Sequence, residues 1–387
     1  MRHFDLIIVG GGLAGASLAA ALRDTRLRIA LVEQHPPVRA PGWDSRIYVV
    51  SPGSVAFLDA IGAWKHLDST RLQRVDNMQV AGDQQGKIEF SAYDCGVDTL
   101  GWSIESSHLA CELWEGIKRQ SNLSLFCPAQ PAALTIADDA AHLTLAGGET
   151  LSARLLVAAD GRDSWIRRQA GLTAIDSPYG EQGVVANFAC VREHRGTAWQ
   201  WFRDDGILAW LPLPDQQFSM VWSTADAHAE TLLALPPAEF CARVAAAGGQ
   251  RLGPLELATP PVAFPLRLMR VPQTVAPRLA LVGDAAHGIH PLSGHGINLG
   301  FADARELAHL LRTAPDWQDI GELRLLQTYQ RARKEETLLL QTATDALHRL
   351  FRSQLPGLPG LRNFGLTLTN RLPIVKNLLV RYALGSL

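Results

Sequence analysis

Leu6-Ile7-Ile8-Val9-Gly10-Gly11-Gly12-Leu13-Ala14-Gly15, running on into Ala16-Ser17-Leu18-Ala19-Ala20-Ala21, passes from an apolar run through a glycine cluster into an alanine-rich segment. The order reads as strand, tight turn and helix, and this context gives the GxGxxG spacing its meaning. Gly10 permits the turn, Gly12 lets a pyrophosphate approach the backbone, and Gly15 allows close helix packing. The helix N–H groups then face phosphate. A second apolar run, Ile29 to Val32, ends in Glu33, placed where a carboxylate accepts hydrogen bonds from both ribose hydroxyls of an adenosine and disfavours a 2′-phosphate. The bland alternative is an ordinary glycine-rich turn with a surface glutamate. Together these features predict dinucleotide binding.

Outward from this stretch, the 387 residues exceed what one hydrophobic core of roughly 250–300 residues comfortably holds, so two interleaved substructures are expected. A chain that is 47% hydrophobic and 19% charged, with a net charge of -2, shows neither the composition of disorder nor a nucleic-acid footprint. The five cysteines (95, 111, 127, 190 and 241) form no CxxC pair, which argues against a disulfide framework or a zinc site and fits a reducing cytoplasm. No uninterrupted apolar run of about 18 residues occurs, so neither a membrane span nor export is expected. Strand and helix alternate over residues 1–75 and return near 102–172 and 278–312. Short β-rich runs, Val184 to Val191, Ala198 to Phe202, Ile207 to Leu213 and Phe218 to Thr224, predict an antiparallel sheet. Expected boundaries are therefore a discontinuous cofactor domain (1–75, 102–172, 278–312), a β-rich substrate domain (76–101, 173–277) and a C-terminal helical region (313–387). Apolar residues recur at three and four from Leu323 to Leu350, predicting a long helix.

A second chemical signal lies near the other end. Arg278-Leu279-Ala280-Leu281-Val282 leads into Gly283-Asp284-Ala285-Ala286-His287, then His290-Pro291-Leu292-Ser293-Gly294-His295-Gly296-Ile297-Asn298. A strand delivers Asp284 into a loop where it can accept hydrogen bonds from sugar-alcohol hydroxyls. Gly294 and Gly296 clear side chains from where a flat ring would lie against backbone. The positive end of the helix beginning near Asn298 would stabilise negative charge at the pyrimidine edge of a reduced flavin.

Paired with the N-terminal GxGxxG, the GDAAHxxxPxxGxGxN pattern resembles the class A flavoprotein aromatic hydroxylases typified by 4-hydroxybenzoate hydroxylase, and within them the ubiquinone-biosynthesis hydroxylases. Ala159-Asp160-Gly161-Arg162-Asp163-Ser164-Trp165-Ile166-Arg167 is similar to that family's DG motif, associated with both FAD and NAD(P)H. Asp44-Ser45-Arg46 with Ser51-Pro52, and Leu361-Arg362-Asn363 through Asn370-Arg371-Leu372-Pro373 to Gly385, extend the likeness over nearly the whole chain. The resemblance implies an α/β fold: a Rossmann-like FAD-binding domain with an inserted antiparallel β-sheet substrate domain and C-terminal helices. It further implies that Arg46 lies beside the flavin, Asp284 on its ribityl chain, and Pro291 to Asn298, with Gly294, Gly296 and Ile297 among them, along the isoalloxazine. With Gly10, Gly12, Leu13, Ala14, Gly15, Glu33, Asp160, Gly161 and Gly283, these are the expected cofactor contacts. The implied activity is hydroxylation of an aromatic ring, a polyprenylated phenol of ubiquinone biosynthesis, through a flavin C4a-hydroperoxide formed with O2. NAD(P)H would be a transient hydride donor, since a single GxGxxG is visible, and other ubiquinone-biosynthesis proteins are implied as partners. Two other readings stay open: a flavin-dependent reductase, or hydroxylase of another aromatic or isoprenoid substrate, and a flavin-binding accessory subunit.

Several residues carry two readings. Ser106-Ser107-His108 departs from the family's asparagine or arginine, and Ser106 or Ser107 either caps a helix or touches cofactor. His295 stands where relatives often have glutamine. His287, His290 and His295 lack carboxylate or cysteine partners at ligand spacing, so no metal is expected; proton transfer and loop packing remain open. Trp199, Trp201, Phe202, Trp210 and Trp222 either wall a substrate pocket or form sheet core. After Asp345 the chain has Arg349, Arg352, Arg362, Arg371, Lys376 and Arg381 but no acidic residue. Such a stretch either docks on the catalytic domains or makes peripheral contact with the inner face of the plasma membrane.

Overall fold

The computed structural model describes residues 1–84, 86–289, 296–352 and 358–370. Arg2–Val9 sits at the centre of a largely parallel sheet, between Thr150–Ala158 and Ile29–Val32, with Leu279–Leu281 beyond the former and Leu123–Phe126 beyond the latter. Its run of apolar residues is explained by cover on both faces. Leu6 and Ile8 pack under the helices Leu13–Ala21, Ser106–Lys118 and Gly296–Thr313. Ile7 and Val9 face the antiparallel hairpin Pro131–Ile136/Ala141–Leu145 through Leu143 and Leu145. The strands that end at Val9, Val32, Ala158 and Leu281 all run the same way, so the loops after them meet at one sheet edge.

A second, mixed sheet is built from Asn77–Ala81, Lys87–Ser91, Ile175–Cys190, Thr197–Arg203, Gly206–Leu213, Gln217–Ala225 and Val262–Arg270, together with the short strands Leu255–Leu257 and His287–Gly288. The four runs predicted between 184 and 224 are strands here, paired antiparallel. Thr197–Arg203 then pairs in parallel with Asn77–Ala81, which alternation cannot foretell because the partner lies 120 residues upstream in register. One face of this sheet answers the aromatic question. Trp199, Trp210, Phe218 and Trp222 are buried against the helices Asp226–Leu233 and Pro237–Ala247, with Phe188 stacked on Phe218 at 5.3 Å. They are core on the side away from the cofactor sheet, and the opposite face of Ile175–Cys190 presents Val185 and Asn187 instead. A third sheet joins Ile47–Val50, Gly101–Glu105 and Gln73–Val75.

The long helix Leu323–Arg352 follows the predicted periodicity and ends two residues beyond it. Helix Leu358–Asn370 docks on the Asn77–Ala81/Lys87–Ser91 hairpin: Asn363 Oδ1 accepts from Gly86 N–H at 3.0 Å, and Arg362 pairs with Asp83. No helix among the described residues is long and apolar enough to cross a membrane.

Candidate functional site

Backbone sterics fix the first turn. Gly10 N–H donates to the Val32 carbonyl (2.8 Å) and Ala159 N–H to the Val9 carbonyl (2.7 Å), clamping the turn between neighbouring strands. Gly10 has φ +105°, and a Cβ there would lie 2.3 Å from the Ala159 carbonyl oxygen; one on Gly15 would lie 2.0 Å from the Gly10 carbonyl oxygen. At Gly12 the situation reverses, because a Cβ would meet nothing within 4 Å. Gly12 is the N-cap of helix Leu13–Ala21 and has no side-chain cap, so the first amides of that helix face open space. Leu13 is buried and Ala14 half-buried below them. Geometry, free donors and helix polarity together suit a phosphate.

Glu33 follows the adjacent strand. Its Oε2 accepts from Gly11 N–H at 2.5 Å, and its Oε1 accepts from Gln34 and His35 N–H at 2.7 and 3.0 Å, which aims the carboxylate along the turn. Beside it opens a cavity of about 510 Å³ walled by Gln34, His35, Phe126, Cys127, Pro128 and Ala146. None of these wall residues was legible beforehand, since they are ordinary strand ends and loops brought together by the 29–32/123–126 pairing and, for Ala146, by the hairpin that follows.

The second turn arrives from Leu279–Leu281. Asp284 is exposed, and Gly283 lies directly against the first turn: a Cβ on Gly283 would sit 3.0 Å from the Ala14 Cβ, and one on Gly300 3.5 Å from it. Two glycine-bearing segments some 270 residues apart thus meet through Ala14, Gly283 and Gly300. Helix Gly296–Thr313 begins here, with Ile297 half-buried and Gly296 at its first position. The Asn298 amide turns away from the open edge. Its Oδ1 accepts from Ser51 N–H and its Nδ2 donates to the Val49 carbonyl, both at 2.9 Å, locking the end of Ile47–Val50 to the helix. Pro291 and Gly294, with His290 and His295, lie outside the described residues.

Arg46 is held by its backbone. Its N–H donates to Asp44 Oδ1 (2.9 Å), its carbonyl accepts from Ser106 N–H (2.9 Å), and its side chain is exposed. Burial pushes the Tyr48 hydroxyl above its ordinary pKa; the Arg46 charge opposes this and the Asp284 charge adds to it. Arg46 and Asp284 therefore act on one phenol, although they come from opposite ends of the chain. Behind Arg46, Asp44 Oδ2 accepts from Ser107 N–H at 2.9 Å, so a carboxylate from another segment does the work expected of a serine cap. Asp44 N–H donates to Glu105 Oε1 (2.7 Å), and Arg71 grips Glu105 at 2.7 and 2.6 Å while lying 4.1 Å above the Trp43 ring. Asn187 Nδ2 donates to the Asp44 carbonyl at 2.8 Å, tying the second sheet to this segment. His108 is buried, its pKa lowered by that burial, and its Nε2 accepts from Asp68 N–H at 3.2 Å.

In the third motif, Asp160 accepts from Ser164 Oγ (2.5 Å) and Ile166 N–H (3.0 Å), so its carboxylate caps the short helix Trp165–Gln169. Gly161 turns the chain at φ +82°. The missed residue is Arg167, 4% exposed, which donates to the carbonyls of Ala285 and Arg162, both at 2.8 Å, and so ties this motif to the Asp284 turn. Among the described residues no cluster of histidine, cysteine and carboxylates could hold a metal ion.

The parts fit a dinucleotide: capless helix amides, a carboxylate fixed on the turn by three backbone amides, a cavity beside it and a second turn at the far end. Comparison with known proteins agrees. Residues 3–337 match the FAD binding domain family. The 3-demethoxyubiquinol 3-hydroxylase of Escherichia coli is 32% identical, with 98% of both chains covered. The ubiquinone hydroxylase UbiL of Rhodospirillum rubrum is 33% identical over 99% of this chain and 90% of its own. The crystal structure of p-nitrophenol 4-monooxygenase PnpA from Pseudomonas putida superposes with a TM-score of 0.80 over 98% of this chain and 97% of that one; at 18% identity it shows a shared fold. The chain belongs to the FAD-binding flavoprotein monooxygenases, in the family of the ubiquinone-biosynthesis hydroxylases.

Proposed function

We propose that the protein is an FAD- and NAD(P)H-dependent monooxygenase that uses O2 to hydroxylate the aromatic ring of a polyprenyl-phenol intermediate of ubiquinone biosynthesis. The observation that carries this reading is the meeting of the Gly10–Gly15 and Gly283–Asp284 turns through Ala14, Gly283 and Gly300, in a chain alike at full length to two ubiquinone hydroxylases. Bound FAD supplies the redox chemistry with O2 and the hydride donor. The protein's own residues bind and orient. Gly12 and the amides after it face the pyrophosphate, and Glu33 takes the adenosine ribose beside the cavity at Cys127. Asp284 takes the ribityl hydroxyls, and Arg46, held by Asp44, lies beside the isoalloxazine with Gly296 and Ile297 along its edge. Asp160, Gly161 and Asn298 act at one remove, by shaping the turns.

The purified protein is expected to be yellow and to oxidise NAD(P)H faster when a polyprenyl-phenol precursor and O2 are present. Mass spectrometry should find product one oxygen atom heavier than substrate. A product heavier by two hydrogens would make it a reductase, and unchanged precursors with no stimulated oxidation for any quinone precursor would favour an accessory subunit or a hydroxylase of another aromatic.

We also propose contact with a bilayer through the C-terminal helices. Leu338, Leu339 and Leu347 on Leu323–Arg352 and Phe364 and Leu368 on Leu358–Asn370 are exposed, and the Arg349 side chain on the first of these helices is 72% accessible. Flotation with anionic liposomes at low salt should carry the protein upward, and neutral liposomes should carry less. Equal recovery at the bottom of both gradients would remove the idea.

A further inference from the structure

Behind the Asp284 turn lies a buried charged cluster in which the motif residue His287 meets Asp303 and Arg333, which no motif announces. Asp303, 1% exposed on helix Gly296–Thr313, accepts through Oδ2 from Gly283 N–H at 2.9 Å and pairs with His287 Nε2 at 2.6 Å. Its Oδ1 accepts from Arg333 Nε at 2.7 Å. Arg333, 8% exposed, stands on the long helix Leu323–Arg352 and also pairs with Glu336. Four residues before it, Tyr329 donates to the Leu281 carbonyl at 2.9 Å. Eight residues after it, Gln341 Nε2 donates to the carbonyls of Met269 and Gly288 at 2.9 and 3.2 Å. Spacings of four and eight put the three side chains on one helix face. That face holds the strand before the turn, the turn through Asp303, and the strand after it.

The charges are mutually supporting. Burial disfavours the Asp303 carboxylate, yet His287 and Arg333 together lower its pKa below the ordinary carboxylate range. Burial likewise disfavours the His287 imidazolium, and the Asp303 charge outweighs it and raises that pKa. Such a cluster costs desolvation and is a poor source of stability, so its plausible use is to specify one geometry. The only backbone amide Asp303 holds among the described residues is that of Gly283, next to Asp284.

We infer that Asp303, His287 and Arg333 are positioning residues that set the Gly283–Asp284 turn, so that the C-terminal helix tunes how tightly, and at what potential, the flavin is held. This rests on the FAD reading above. Arg333→Met leaves Asp303 short of a cation, and the carboxylate that accepts from the turn amide is then held by His287 without Arg333. Apoprotein reconstituted with FAD should then show a dissociation constant at least about tenfold higher by flavin-fluorescence titration, and a shifted midpoint potential. Arg333→Lys, which keeps a charge but not the planar fork that bridges Asp303 and Glu336, should recover part of both. His287→Gln keeps a hydrogen bond without a charge; it should weaken binding about threefold and carries the test if Arg333→Met does not fold. Affinity within twofold of wild type and an unmoved potential in a folded variant, with only the apoprotein melting temperature lowered, would overturn the inference and make the cluster merely structural. Failure of the wild type to take up FAD would instead sink the reading on which it rests.

Discussion

Gly15→Ala is expected to yield protein without flavin. The added methyl would sit 2.0 Å from the Gly10 carbonyl oxygen and 3.0 Å from the Ala159 Cβ. Gly10 cannot retreat, because its amide is bonded to Val32 and the neighbouring Ala159 amide to Val9. The helix Leu13–Ala21 must therefore move, at an overpacking cost of about 1–3 kcal/mol, carrying its free amides away from any phosphate. We expect affinity for FAD to fall about a hundredfold or more, read as the flavin-to-protein ratio after gel filtration. Gly12→Ala supplies the contrast. Its methyl meets no protein atom, so apoprotein stability should hold while FAD affinity still drops, since the space it fills is where the pyrophosphate would lie. A Gly12→Ala protein that retains flavin as firmly as wild type would refute that placement.

The second large effect concerns Glu105, which is 2% exposed and whose described partners are the Arg71 guanidinium and the Asp44 amide. Arg71→Met strands a buried carboxylate, a change that typically costs about 3–5 kcal/mol. Urea unfolding should register most of that loss. The double replacement Arg71→Met/Glu105→Met should recover much of it, because neither charge then remains buried, and the difference between single and double variants measures the coupling. The double variant should still bind substrate and flavin poorly. Asp44 would lack the acceptor for its amide, and Asp44 carries both the Arg46 backbone and the Asn187 contact to the second sheet. Stability in Arg71→Met equal to wild type would mean that the ion pair is not formed in solution.

The legible parts of this protein are those written in local pattern. The Gly10–Gly15 turn, Glu33 at a strand end, the four strands between 184 and 224 and the periodic helix from Leu323 all depend on neighbours a few residues away. Motifs with a steric or charge logic, such as Gly283-Asp284, pointed to the turn that packs against Ala14 of the first one. What stayed hidden is mostly buried and long-range. Glu105 and Arg71 are an unremarked strand residue and short-helix residue until the 101–105 strand brings them together, and Asp303 with Arg333 depends on two helices meeting. Asn298 shows a subtler limit: the motif singled it out for the isoalloxazine edge, and its side-chain amide is bonded to Val49 and Ser51, partners the motif did not name. The tryptophans show another, since a two-residue spacing places Trp199 and Trp201 on one face without saying which face is inside.

Arg2–Val9 occupies the middle of its sheet, yet its neighbour Thr150–Ala158 is about 150 residues downstream, and Leu279–Leu281 completes the row later still. At a translation speed of about 5–20 residues per second, this central strand leaves the ribosome roughly 7–30 s before its partner exists. For that interval Ile29–Val32 pairs with one of its edges and the other stays bare. The arrangement that brings both glycine turns to a single sheet edge thus leaves the nascent N-terminal third with an open strand edge until synthesis has passed residue 158.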